Sequence, residues 1–151
     1  MSFEALNDLY REVIIDHFKN PRHHGSIEPF DVEQEGYNPL CGDHIFLRLK
    51  CESGKIKDIG FTGKGCSISQ AAASILTEDV VGKSLEEAQT KVLHFKEMMQ
   101  GKREAVEEEG DIEALSGVKK FPVRIKCALL AWTTLQEAIE FYKKKGGESC
   151  R

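Results

Sequence analysis

The sequence predicts an α+β fold, a small antiparallel sheet covered on one face by helices. Three observations carry that expectation. From His44 to Cys51 the odd positions are apolar and the even ones mostly polar, the period of a half-buried strand. Glu52-Ser53-Gly54 then supplies a turn into a returning strand, Lys55 to Thr62. On either side of this hairpin, apolar residues recur at helical spacing.

The first helix is predicted from about Phe3 to Phe18. Leu6, Leu9, Tyr10, Val13, Ile14 and His17 share one face, Ser2 is placed to cap it, and Asn20-Pro21 stops it. His17 is read as a half-buried residue of that face, and His23 and His24 as solvated residues of a turn. A loop-rich passage from Arg22 to Leu40 includes a strand near Val32 to Tyr37. Extending the central strand backwards puts Cys41 and Asp43 on the same face as Ile45, Leu47 and Leu49. Ile56 is out of phase with Ile59 and Phe61, which predicts a bulge near Lys57-Asp58.

Gly63-Lys64-Gly65 is not a phosphate loop, because Asp58 stands where the first glycine belongs and Gly65 follows the lysine in place of Ser or Thr. These glycines are expected to let the backbone turn sharply and deliver Cys66. Ile68, Ala71, Ala72, Ile75, Leu76 and Val80 then mark a helix from Ser67 to Val81, ended by Gly82. Ser84-Leu85-Glu86-Glu87 opens the next helix with a capping box, Ala88, Val92, Phe95 and Met99 form its stripe, and Gly101 ends it. His94 beside that stripe is read as structural. Lys102 to Gly110, with Glu107-Glu108-Glu109, reads as a solvated excursion, and Asp111 to Leu115 as a short helix. The last helix starts at Phe121-Pro122, with proline in its favoured first turn, and carries Ile125, Leu129, Trp132, Leu135, Ala138, Ile139 and Tyr142. Lys143-Lys144-Lys145 complements its C-terminal dipole.

The 151 residues are expected to form one domain, 1–151, with a flexible polar tail from about 146. A net charge of −4 without a basic stripe argues against a nucleic-acid partner. No apolar run approaches the ~20 residues of a membrane span, so no membrane association is expected. The first residues lack a secretory leader, and five cysteines, an odd number, then point to reduced thiols in a cytoplasmic protein.

The chemistry-bearing stretch is Asn38-Pro39-Leu40-Cys41-Gly42-Asp43. A thiolate and a carboxylate two residues apart can reach one metal ion, but zinc wants four ligands. Cys66 and Cys127 stand near the starts of predicted helices, where the dipole favours a thiolate. Cys41, Asp43, Cys66 and Cys127 are candidate metal ligands that would have to converge from three separated segments, and spacing alone leaves open the alternative that these cysteines are small buried hydrophobes. Cys51 fits the core face of its strand, and Cys150 lies in the polar tail.

Cys41-Gly42-Asp43, Gly63-Lys64-Gly65-Cys66-Ser67-Ile68-Ser69 and Phe121-Pro122-Val123-Arg124-Ile125-Lys126-Cys127 together resemble the IscU/NifU-type iron–sulfur cluster assembly proteins, and most of all their SufU branch. The resemblance runs from the first helix to about Tyr142. It implies that the three cysteines and the aspartate form one site. Lys126 stands where the scaffold branch has a histidine, and Lys120-Phe121-Pro122-Val123-Arg124 replaces its chaperone-docking Leu-Pro-Pro-Val-Lys. The charged passage from Lys102 to Gly117 is similar to the longer connection of the SufU branch. That branch implies a zinc centre and a sulfur-transfer role, with persulfide sulfur accepted from a SufS-type cysteine desulfurase and passed to downstream iron–sulfur assembly proteins. It also implies that a partner's histidine replaces the departing cysteine on zinc.

Cys41 is the expected acceptor, because its loop, flanked by Pro39 and Gly42, moves more easily than residues anchored at helix starts. Arg124 lies one helical turn before Cys127 and is assigned a catalytic part, attracting the Cys41 thiolate or the Asp43 carboxylate once either leaves the metal. Two other functions remain open: a scaffold that builds a transient iron–sulfur cluster on the same ligands, and a zinc-stabilised binding module without sulfur chemistry.

Overall fold

A computed structural model describes residues 8–104 and 110–146. Its central layer is an antiparallel sheet ordered β1-β2-β3, with β1 at Val32–Asn38, β2 at Asp43–Glu52 and β3 at Lys55–Lys64. Alternation along β2 works as expected. Asp43, Ile45, Leu47, Leu49 and Cys51 are buried on one face, while Phe46 on the other is exposed. β3 pairs with β2 through Lys50 opposite Asp58 and Cys51 opposite Ile56, so Lys57 is the extra residue of a bulge. The bulge lets Ile56 join Ile59 and Phe61 in the core.

Helices close the buried face. α1 (Asp8–Lys19) packs on α2 (Ser67–Val80), α2 packs on α5 (Pro122–Lys144), and α5 lies across β1 and β2. α3 (Leu85–Met99) covers the far side of α5, where Phe95 stacks on Trp132 with ring centroids 3.7 Å apart. Gly36 makes the α5–β1 contact close, since a Cβ there would overlap the Thr134 hydroxyl. The capping box forms: the Glu87 N–H donates to Ser84 Oγ at 3.0 Å, and the Ser84 N–H to Glu87 Oε1 at 3.1 Å. A short α4 (Ile112–Leu115) and the 3-10 turn Ser116–Lys120 lead into α5.

Several expectations are refined or fall outside the described residues. His17 is not half-buried but 1% exposed. Its Nδ1 pairs with Ser74 Oγ at 2.7 Å and its Nε2 with Asp111 Oδ2 at 2.6 Å, so both ring nitrogens are satisfied by segments far away in sequence. His23 is a partly exposed turn residue and His24 is exposed, as expected, and their backbone also lies along the edge of β3. The His23 carbonyl accepts from the Phe61 N–H, the Gly25 N–H donates back to the Phe61 carbonyl, and the His24 ring meets Phe61 edge-on. That pairing covers part of an otherwise open strand edge. The helix start at Phe3 with its Ser2 cap, the Glu107-Glu108-Glu109 run, and the tail with Cys150 lie outside the described residues. Among the described residues no helix is long and apolar enough to cross a membrane.

Candidate metal centre

The site lies at one end of the sheet, where three elements meet. Asn38, the last residue of β1, pairs with Asp43, the first of β2, so Pro39 to Gly42 form a tight connection that holds Cys41 over the sheet end. Gly42 takes a φ of +70°, a conformation that favours glycine and turns the chain back towards Asp43. Cys127 arrives from the second turn of α5 and is fully buried. One ligand atom each from Cys41, Asp43 and Cys127 lies within 4.8 Å of the others. The Cys127 thiol donates to Cys41 Sγ at 3.1 Å.

Cys66 reaches this group through its backbone. Its N–H donates to Asp43 Oδ1 at 2.9 Å. Its sulfur N-caps α2, accepting from the Ser69 N–H at 3.4 Å, and is not one of the three clustered ligand atoms. Gly65, just before it, has no room for a side chain, because a Cβ there would stand 2.5 Å from both Asp43 Oδ1 and Ser69 Oγ. The glycines therefore do more than turn the chain: Gly65 lets the Cys66 segment pack against a carboxylate.

The Asp43 carboxylate is the hub. It accepts from the Cys66 N–H, from Ser69 Oγ at 3.1 Å and from Asn38 Nδ2 at 3.1 Å. Burial pushes its carboxyl up, but these donors and the Cys127 thiol outweigh that and hold it below the usual carboxylate range. Cys127 shifts the other way. Burial pushes its thiol well above the usual range, and its hydrogen bonds to Cys41 and Asp43 add to the rise. Arg124 stands beside the group with Nη1 3.9 Å from Cys41 Sγ. Burial works against its charge, but the sulfurs of Cys66, Cys127 and Cys41 favour it and raise its pKa.

Cys51 is 7% exposed on the core face, as the strand period predicted, and burial pushes its thiol up to about 11. His94 is partly exposed on α3. Sequence reasoning gave no role to Asn38 or Ser69. The signal for Asn38 was its place across the hairpin from Asp43, and for Ser69 its place one turn after Cys66.

Two sulfurs and a carboxylate at this separation, with Cys66 adjoining, are a donor set that fits tetrahedral zinc, and thiolates equally suit an iron–sulfur cluster. The model for the NifU-like N terminal domain matches residues 9–149. The chain belongs to that IscU/SufU family. It is 46% identical over 149 residues to the zinc-dependent sulfurtransferase SufU of Bacillus subtilis, covering 97% of this chain and 99% of the relative. It is 48% identical over 141 residues to the iron–sulfur cluster assembly scaffold protein IscU of Streptococcus pyogenes serotype M1, covering 93% and 88%. The structure superposes on FiSufU of the Fervidobacterium islandicum AW-1 SUF system with a TM-score of 0.82 and 36% identity, covering 92% of this chain and 99% of that one. The three-stranded sheet with its helical cover is thus the family fold, and iron–sulfur cluster assembly is the family's business.

Proposed function

We propose that this chain is a zinc-dependent acceptor and carrier of persulfide sulfur. It would act as one domain in the cytoplasm, between a SufS-type cysteine desulfurase and downstream iron–sulfur assembly proteins. Cys41, Asp43, Cys66 and Cys127 are the proposed zinc ligands, with Cys66 turning from its cap of α2 to complete the set. A bound zinc ion would keep its thiolates deprotonated near neutral pH and add folding free energy.

The observation that carries the sulfur-acceptor reading is the inequality of the two clustered sulfurs. Cys127 is buried on a helix, whereas Cys41 is half-buried in a four-residue connection beside Arg124. A freed Cys41 thiolate meets a guanidinium there, and charge-assisted pairing favours that arrangement. The Cys41 sulfur attacks the outer sulfur of the desulfurase persulfide. A new S–S bond forms on Cys41, the old one breaks, and the desulfurase cysteine leaves as its thiolate. Arg124→Ala is expected to retain zinc while slowing transfer, and Cys41→Ala to abolish it.

The cluster-scaffold reading stands second, favoured by the scaffold name of the S. pyogenes relative and by a donor set that serves either role. Metal analysis and the absorption spectrum of anaerobically purified chain separate the two. A colourless chain with about one zinc supports the carrier; a brown chain with iron and sulfide refutes it in favour of the scaffold.

A further inference from the structure

Asn38 is 6% exposed and carries no charge, yet its side-chain amide touches two of the three clustered groups. Nδ2 donates to Asp43 Oδ2 at 3.1 Å and to Cys127 Sγ at 3.6 Å. An amide nitrogen has two N–H donors, so both bonds can form at once. The geometry follows from the hairpin: Asn38 is the register partner of Asp43, and its side chain points to the buried face where α5 brings Cys127. Among the described residues Cys41 has no such amide, its sulfur meeting the Cys127 thiol and Arg124.

We propose that Asn38 is the positioning residue that decides which sulfur stays on the metal and which is released. The inference rests on the sulfur-acceptor reading above. Two anionic ligands on separate elements, β2 and α5, repel each other and must be aimed at one point. The amide donates to both, offsets part of that repulsion and fixes their directions, as outer-shell partners of metal ligands do. A hydrogen bond to a thiolate also withdraws electron density from sulfur and weakens it as a nucleophile. Cys127 is thereby the retained sulfur, and Cys41, which among the described residues accepts from no amide, is the one released towards Arg124.

The test compares zinc affinity, by competition with a chromophoric chelator, across wild type, Asn38→Ala and Asn38→Asp, each first shown by circular dichroism to be folded without metal. Asn38→Ala should bind zinc about 10- to 100-fold more weakly. Asn38→Asp should be weaker still, because the near-isosteric carboxylate cannot donate and adds a like charge. A packing role predicts the reverse order, since aspartate fills the same space. Asn38→Ser, too short to reach both groups, replaces the alanine variant if that chain does not fold.

The second readout is limiting iodoacetamide on the zinc-loaded chain followed by peptide mass mapping. Wild type should be modified at Cys41, and Asn38→Ala at Cys41 and Cys127 together. Equal zinc affinity across the variants, an alanine variant weaker than the aspartate one, or modification of Cys41 alone in Asn38→Ala each overturns the role of Asn38. A wild-type chain that takes up no zinc overturns the carrier reading, and this inference with it.

Discussion

Replacing Gly65 by alanine tests how tightly Asp43 is held. A Cβ at Gly65 would sit 2.5 Å from Asp43 Oδ1 and 2.5 Å from Ser69 Oγ, and 3.1 Å from the Asp43 Cα. Two of those three atoms belong to a carboxylate residue with 0% exposure, so the strain cannot be shed by swinging a side chain into solvent. Relief requires Asp43 Oδ1 to give up the Cys66 N–H at 2.9 Å and the Ser69 hydroxyl at 3.1 Å. Hydrogen bonds to charged groups contribute about 1.5–3 kcal/mol each, so partial loss of both costs about 3 kcal/mol. For a chain of this size that lowers the melting temperature by about 6–12 °C. Zinc affinity should fall at least about tenfold, because the displaced carboxylate no longer points at the sulfurs. Gly42→Ala is the control. Apart from its two chain neighbours nothing lies within 4 Å of a Cβ there, and the φ of +70° is unfavourable, so the cost is about 1–2 kcal/mol of backbone strain without a clash from elsewhere in the fold. Differential scanning calorimetry with and without zinc, beside a chelator titration, reads both quantities. Gly65→Ala with wild-type melting and wild-type zinc affinity would refute the packing argument.

Cys51 makes the metal-free chain sensitive to alkali. Its folded thiol, pushed up to about 11 from 9.0, keeps its proton where the unfolded thiol has lost it, so its stabilising effect is complete below pH 9.0 and disappears as pH rises through about 11. The difference is about 2–3 kcal/mol, and Cys51→Ala should flatten the fall in urea midpoint between about pH 8.5 and 11 relative to wild type; parallel curves would contradict this. His17→Ala removes the ring that ties Ser74 on α2 to Asp111 before α4, and should cost about 2–4 kcal/mol with faster amide exchange in α4. Unchanged exchange there would show that His17 does not anchor that segment.

Local chemistry made much of this fold legible. The two-residue period of β2 placed Asp43 on the core face, the phase break at Ile56 located the bulge, and the Ser84–Glu87 pair announced a helix start that forms with both reciprocal bonds. Each of these signals depends on neighbours within a few positions. His17 was misjudged because its partners lie 57 and 94 residues away, and no helical pattern carries that information. Asn38 and Ser69 were missed for a related reason. Their importance depends on the hairpin register and on where α2 starts relative to Asp43, and both emerge only when the sheet is assembled. The turn chemistry of Gly65 was visible, but its closeness to Asp43 was not, since a glycine needed for a turn and one needed for clearance look alike in sequence. Residue types alone left the convergence of Cys41, Asp43 and Cys127 open and the motif resemblance supplied that expectation, whereas the capping position of the Cys66 sulfur was signalled by neither.

The central claim is that Cys41 receives the sulfur while the other ligands hold the centre. The most direct measurement incubates the zinc-loaded chain with a SufS-type cysteine desulfurase and isotopically labelled cysteine, traps persulfides by alkylation and maps them by mass spectrometry. The account predicts one labelled sulfur atom on the Cys41 peptide, with Cys66 and Cys127 unlabelled. Labelled sulfur on Cys66 or Cys127, or none on any cysteine while the desulfurase turns over, would contradict it.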